Sequence, residues 1–274
     1  PRWCTINECG PYAVMGYGLG VFPPGVKNFK RMAVVLYHLM RAHTAVYDMI
    51  KAMPGGERVE VGLVKNIFQF DPYHRWNLFH WILCRVANGA YNESILGYIE
   101  RGEFKVRIPT QVNFVRSNPD AAGKTDFTGL NHYANLILSL FMKTEPPFEP
   151  HARRGQILTD MPYAIYAEGF YRALMRLKPL NKPIIVTENG IADDQDDRRA
   201  IWIQRYIYAM SQAIKDGADV RGYHYWSLMD NFEWAEGWQM AFGLYEVNFE
   251  NQERRLREGS LAYCDIVREW SDDE

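Results

Sequence analysis

Apolar residues along the chain fall into two alternating patterns. Short β-branched runs without polar alternation read as strands buried on both faces, as in parallel sheets. Longer stretches with apolar residues at helical spacing lie between them. Arg2–Ile6 opens as a strand and ends in Asn7-Glu8. A structured glycine loop, Gly16–Gly25, precedes a helix over Asn28–Met53, which Pro54-Gly55-Gly56 ends. Val59–Phe70 is a second strand, Tyr73–Asn88 a helix with aromatic residues on its inner face, and Asn92–Arg101 a shorter helix. Glu103–Gly123, with Pro109 and Pro119, reads as an irregular loop. Thr125–Tyr133 is a third strand, Ala134–Phe141 a strand of an inserted hairpin, and Glu145–Pro150 a proline-rich loop. A helix over Tyr163–Leu177 leads into the strand Ile184–Thr187, which stops at Glu188-Asn189-Gly190. A helix follows from the acidic stretch at Asp193 to Asp216, with Gly217 at its end. Val220–Ser227 is the fifth strand, Phe242–Phe249 a short strand better placed in a hairpin, and Gly259–Trp270 a closing helix.

Strand and helix alternate, and polar groups gather at strand carboxyl ends. That pattern specifies an α/β fold of the (β/α)8 TIM-barrel type, with about five of the eight strand–helix units present. No repeat or second domain interrupts the chain, so residues 1–274 are read as a single, incomplete barrel domain.

Two strands end in a glutamate, Glu8 and Glu188. A strand-end carboxylate can cap a helix or hold a salt bridge, and one alone decides nothing. Two on different barrel strands can face each other across one opening, which glycoside hydrolysis requires. Coincidence is the competing reading, because position in the chain is not distance in space.

Composition narrows the classes. A net charge of −2 gives no footprint for nucleic acid or an anionic membrane. The four cysteines, Cys4, Cys9, Cys84 and Cys264, have no metal or CxxC spacing and read as free thiols of the cytoplasm. Aromatic residues reach 14%, which suits either a core or a platform for sugar faces. His38 and His43, five apart on one helix, do not make a metal pair and are read as core or surface histidines. The glycines of Gly16–Gly25 meet Pro23-Pro24 where a phosphate-binding helix would start, so nucleotide binding is rejected. Pro1 stands almost inside a strand, and the natural amino terminus is expected upstream.

Four motifs then occur in order: TINE at Thr5–Glu8, DFTGLNHY at Asp126–Tyr133, IIVTENG at Ile184–Gly190 and WSLMDNFEWAEGW at Trp226–Trp238. The set resembles glycoside hydrolase family 1, the β-glucosidases and β-galactosidases with a (β/α)8 barrel. The resemblance implies Glu188 as nucleophile and Glu8 as general acid/base. It implies that Asn7 binds the sugar 2-hydroxyl, that Asn131 and Tyr133 line the site, and that the Tyr133 hydroxyl orients Glu188 and keeps it charged. Trp226 would be the sugar platform, and Glu233 and Trp234 would hold the hydroxyls at positions 3, 4 and 6. No metal or organic cofactor is implied.

The family's 6-phospho-glycosidases carry a serine and a Lys–Tyr pair after the last strand. Glu233-Trp234 stands here instead, which favours an unphosphorylated β-glucoside or β-galactoside. Departures are Cys9 where the family has proline, Asn248 in its Val-Asp-Phe, and Glu258 for a lysine. The first three strand–helix units, with a glutamine and a His-Trp pair that grip the sugar, have no counterpart. The expected partners are therefore a β-glycoside and either the missing barrel segment or a second copy of the chain. The alternative function is a non-catalytic fragment that binds carbohydrate or associates with itself; a third reading is a hydrolase of a related barrel family, against which the aromatic loop Trp226–Trp238 argues.

Overall fold

The structure is a computed structural model and describes residues 1–140 and 155–271. Its strands are β1 (Arg2–Asn7), β2 (Glu60–Asn66), β3 (Gln69–Pro72), β4 (Glu103–Ile108), β5 (Val112–Ser117), β6 (Phe127–Asn131), β7 (Asn135–Leu138), β8 (Ile184–Asn189), β9 (Val220–Tyr225), β10 (Tyr245–Val247) and β11 (Arg254–Leu256). Its α-helices are α1 (Cys9–Ala13), α2 (Phe29–Ala52), α3 (Leu78–Asn88), α4 (Ser94–Arg101), α5 (Ala167–Leu177), α6 (Arg199–Lys215) and α7 (Leu261–Ser271). Five strands form one all-parallel sheet in the order β1-β2-β6-β8-β9. These are the five barrel strands expected from the hydrophobic runs, and with the helices between them they make a partial (β/α)8 barrel.

Helix boundaries follow local chemistry. The Asn28 side chain accepts the Arg31 amide at 3.0 Å and starts α2. Asn77 does the same for α3 through Phe79 at 2.9 Å. The acidic stretch at Asp193 lies ahead of α6 rather than within it. Asp193, fully buried, accepts the amides of Arg198 and Arg199 at 2.9 and 2.8 Å. Gly217 ends that segment at φ 87°, where a side chain would be strained.

The core lies between sheet and helices. Ile184 and Val186 of β8 pack with Phe170 and Leu174 of α5 and Trp202 and Tyr206 of α6. A second cluster joins Leu63 of β2 to Met32, Leu36 and Met40 of α2 and Ile95 of α4. Each such side chain stabilises the fold by roughly 1.5–3 kcal/mol on burial. His43 is a core histidine, bonded to Thr5 Oγ1 at 2.7 Å and the Lys124 carbonyl at 2.8 Å.

Several expectations need correction. Val59–Phe70 is two strands: the chain leaves the main sheet after Asn66, and β3 pairs in parallel with β7. Ala134–Phe141 is thus no hairpin arm, and Phe141 lies outside the described residues. Glu103–Gly123 is mostly ordered, because β4 and β5 form an antiparallel hairpin. Phe104 and Val106 are buried while Lys105 and Arg107 face out, an alternation that Pro109 obscured. The aromatic residues of Tyr73–Asn88 do not face inward. His80 and Cys84 do, while Phe79 and Trp81 are 64% and 47% exposed. The Phe242–Phe249 run shrinks to β10, which pairs with β11 in the expected hairpin. The proline-rich loop Glu145–Pro150 lies outside the described residues.

Arg199 ties the carboxyl end of the sheet together. Fully buried, it donates to Asp196 Oδ1, Tyr225 Oη and the carbonyls of Asp193 and Ala241, at 2.7, 2.7, 2.8 and 3.1 Å. Replacing Arg199 by Met takes the partner from Asp196 Oδ1 and Tyr225 Oη and leaves the two carbonyls one backbone amide each, and is expected to cost about 3–5 kcal/mol, read from urea unfolding. At the sheet's ends, β1 exposes Trp3 at 60%, and β1 and β9 each pair on one side only among the described residues. Open parallel edges recruit another strand. Analytical ultracentrifugation of this chain by itself is therefore expected to show oligomers; a stable monomer would contradict this.

Candidate active site

Every predicted site residue except Glu233 and Trp234 sits at the carboxyl end of a barrel strand or just past it. The pairing slips there. Register shifts separate Cys4 from Asn7 on β1, Leu130 from Asn131 on β6, and Val186 from Asn189 on β8. Such irregularities re-aim side chains. Glu8, just beyond β1, adopts φ 50° and ψ 55°, a left-handed conformation that costs a non-glycine residue energy. Its amide donates to the Val64 carbonyl at 3.1 Å, which pins this turn to β2.

The two carboxylates meet through asparagines. Asn131 Nδ2 donates to Glu8 Oε1 at 2.8 Å and to Asn7 Oδ1 at 3.1 Å. Asn7 Nδ2 donates to Glu188 Oε1 at 3.3 Å. Tyr133 Oη donates to the other Glu188 oxygen at 2.7 Å. Thr187 Oγ1 donates to Asn131 Oδ1 at 2.6 Å and so fixes which way that amide points. Glu8, Glu188, Asn7, Asn131 and Tyr133 are therefore one hydrogen-bonded cluster.

The electrostatics differ in part from expectation. Glu188 is raised above the usual carboxylate range, first by burial and then by the charge of Glu8. Tyr133, Asn131 and Asn7 pull it back toward the ionised form, without cancelling the rise. The Tyr133 phenol is pushed well above its ordinary value by burial and by Glu188, so it remains a donor. Glu233 rises to about 7, from burial first and then from Glu188 and Glu8, while a hydrogen bond from Trp226 opposes the rise. Glu233 and Trp226 thus belong to the same charged neighbourhood. Trp234 does not join it: the indole is 78% exposed, and no contact ties it to the cluster among the described residues.

Sequence reading missed Asn66. Its Nδ2 donates to Glu8 Oε1 at 3.1 Å, and its Oδ1 accepts from Tyr91 Oη at 3.0 Å. Asn66 ends β2 as Asn131 ends β6, a signal hidden by running that strand on to Phe70. Behind it, the Lys65 ammonium lies 4.0 Å from the Tyr91 ring centre and bonds the Asn66 carbonyl. Burial pulls this lysine down to about 7. Among the described residues no group of three His, Cys, Asp or Glu side chains could hold a metal ion. Two shallow depressions of about 400 and 450 Å³ near the start of α2 are lined by none of the cluster residues.

Paired carboxylates at the carboxyl ends of parallel barrel strands, with amide and phenol donors between them, are the layout of barrel glycoside hydrolases. The chain belongs to glycosyl hydrolase family 1, whose sequence model matches residues 1–271. It is 28% identical to β-glucosidase A of Acetivibrio thermocellus, over 98% of this chain and 64% of that protein. It is 30% identical to a β-galactosidase of Saccharolobus solfataricus, over 97% of this chain and 55% of that protein. The β-glycosidase from Pyrococcus horikoshii superimposes with a TM-score of 0.84 at 31% identity, over 97% of this chain and 60% of that one. The chain thus spans less than two thirds of the length of these relatives.

Glu233 yields a pH test. Its folded value lies above the ordinary one, so the folded chain holds this proton more tightly than the unfolded chain. The group's contribution to stability is then lost as pH rises from the ordinary carboxylate range through about 7. Glu233→Gln should melt about 2–4 °C higher than the parent at pH 8, with the gap closing at pH 5, by differential scanning calorimetry.

Proposed function

We propose that this chain carries the catalytic carboxylates of a retaining β-glycosidase acting on unphosphorylated β-glucosides or β-galactosides. The observation that supports this most is the shared asparagine bridge, which brings Glu8 and Glu188 to one opening. In the first step a Glu188 oxygen attacks the anomeric carbon while the bond to the leaving oxygen breaks. Glu8 gives its proton to that oxygen. In the second step Glu8 takes a proton from water, water attacks the same carbon, and the ester to Glu188 breaks. Two inversions return the original configuration.

Tyr133, Asn131 and Asn7 lower the energy of the Glu188 carboxylate when it is released and when it attacks. Asn7, which donates to Glu188 and accepts from Asn131, is assigned the sugar 2-hydroxyl in this reading. Trp226 offers a flat apolar face to the pyranose ring, and Glu233 accepts from hydroxyls further round it. A carboxylate at Glu233 would repel a 6-phosphate, which supports an unphosphorylated sugar.

The open edge at β1 supports a qualification: turnover requires the strand–helix units that complete the barrel. The test is an assay of nitrophenyl β-glucoside and β-galactoside with that segment supplied. Glu188→Ala should abolish turnover. Glu8→Ala should lose about 10²–10⁴-fold on substrates with poor leaving groups and much less on activated ones. Undiminished turnover by Glu188→Ala would overturn the assignment. No turnover by the completed parent would favour the non-catalytic carbohydrate-binding reading.

A further inference from the structure

The segment before and within α3 carries a feature that catalysis does not use. Trp76, Leu78, Phe79, Trp81 and Ile82 are 81%, 68%, 64%, 47% and 47% exposed, on a helix whose inner face is filled by His80 and Cys84. Scattered exposed apolar residues are ordinary, but five within seven positions are not.

The rings are held in place. Trp76 stacks on His74 with centroids 5.1 Å apart, and His74 stacks on buried His80 at 5.5 Å. The His74 amide donates to His80 Nδ1 at 3.1 Å, and the Trp81 indole N–H donates to the Arg75 carbonyl at 2.9 Å. These contacts tie the two tryptophans to the surface, Trp76 through His74 to buried His80 and Trp81 to the chain ahead of the helix.

Charge selects the occupant. Residues 72–92 contain no aspartate or glutamate. Arg75 and Arg85 are exposed, and neither has an ion pair among the described residues. The acids that bracket the segment are already matched: Asp71 pairs with Arg172 at 3.0 Å, and Glu93 pairs with Arg176. A second copy docked through the same face would bring like charges together with no acid between them. An anionic surface meets both arginines and accepts the aromatic rings at its boundary. The nearly neutral net charge hides this local imbalance.

We propose that Trp76, Leu78, Phe79, Trp81 and Ile82, flanked by Arg75 and Arg85, form a peripheral docking surface for an anionic phospholipid bilayer. It is a surface contact, not a span: among the described residues no helix is long and apolar enough to cross a membrane. The surface lies toward the end of the sheet that carries the carboxylates, because β2 delivers Asn66 to Glu8 and the chain then runs through β3 into α3.

The test is flotation of the chain with phosphatidylcholine vesicles, with and without phosphatidylglycerol; flotation leaves self-aggregates behind. The chain should float with the anionic vesicles and be released by salt. Combined Trp76→Ser, Phe79→Ser and Trp81→Ser should reduce the bound fraction roughly tenfold or more. Arg75→Glu with Arg85→Glu, at exposed positions that leave the core intact, should abolish the preference for phosphatidylglycerol, with circular dichroism confirming the fold. Absence of flotation, or binding indifferent to both lipid charge and the arginine variant, would overturn the proposal. So would an aromatic variant that changes only the sedimentation coefficient, which would assign the face to a second copy.

Discussion

The amide of Asn131 is the point on which this site depends. Two carboxylates in one partly buried cleft repel each other, and each loses hydration on leaving bulk water. Asn131 Nδ2 reaches Glu8 and Asn7 together, Asn7 reaches on to Glu188, and Thr187 holds the amide in the only orientation that allows this. The residue is fully buried and stands beside Glu188 in the β6–β8 pairing. Without that donor, Glu8 would keep only the bond from Asn66, and Asn7 would lose the donor that ties it to Glu8. With it, residues far apart in the chain share one short network.

The network also explains how three acids tolerate one neighbourhood. Burial and mutual repulsion push Glu188 and Glu233 toward protonation. Donors from Tyr133, Asn7 and Asn131 act against this at Glu188, and Trp226 acts against it at Glu233. The balance differs between the two because Glu188 has several donors and Glu233 has one. The two environments suit the roles proposed for these acids: attack by Glu188 and acceptance of sugar hydroxyls by Glu233.

The remaining architecture holds this cluster in register. The sheet is parallel, so all five strands deliver their carboxyl ends to one side. Arg199 joins the loops after β8 and β9 by adding a second donor to the Asp193 and Ala241 carbonyls, each of which also accepts one backbone amide. The β1 edge carries Glu8 and is also where the barrel wall stops. One of the two acids therefore follows directly on an edge strand of the sheet, paired on one side only among the described residues.

Much of this was readable from residue order. Short apolar runs without polar alternation mark parallel strands, and acids that end such runs mark the functional face; Glu8 and Glu188 follow from that rule, while Asn131 came from the DFTGLNHY motif of the family. Local chemistry also set the start of α2 at Asn28. Three things were not local. Asn66 lay within a run of apolar residues, and only the departure of β3 to pair with β7 made it a strand end. The β4–β5 hairpin was hidden by Pro109, although its alternation was present. The outward face of α3 could not be inferred, because an apolar residue at helical spacing looks the same whether or not a neighbour covers it. Sequence determines which side chains can do chemistry and which segments bury themselves. Tertiary packing alone decides which amide bridges two distant carboxylates and which apolar surface is left facing water, because both depend on through-space neighbours that the order of residues does not specify.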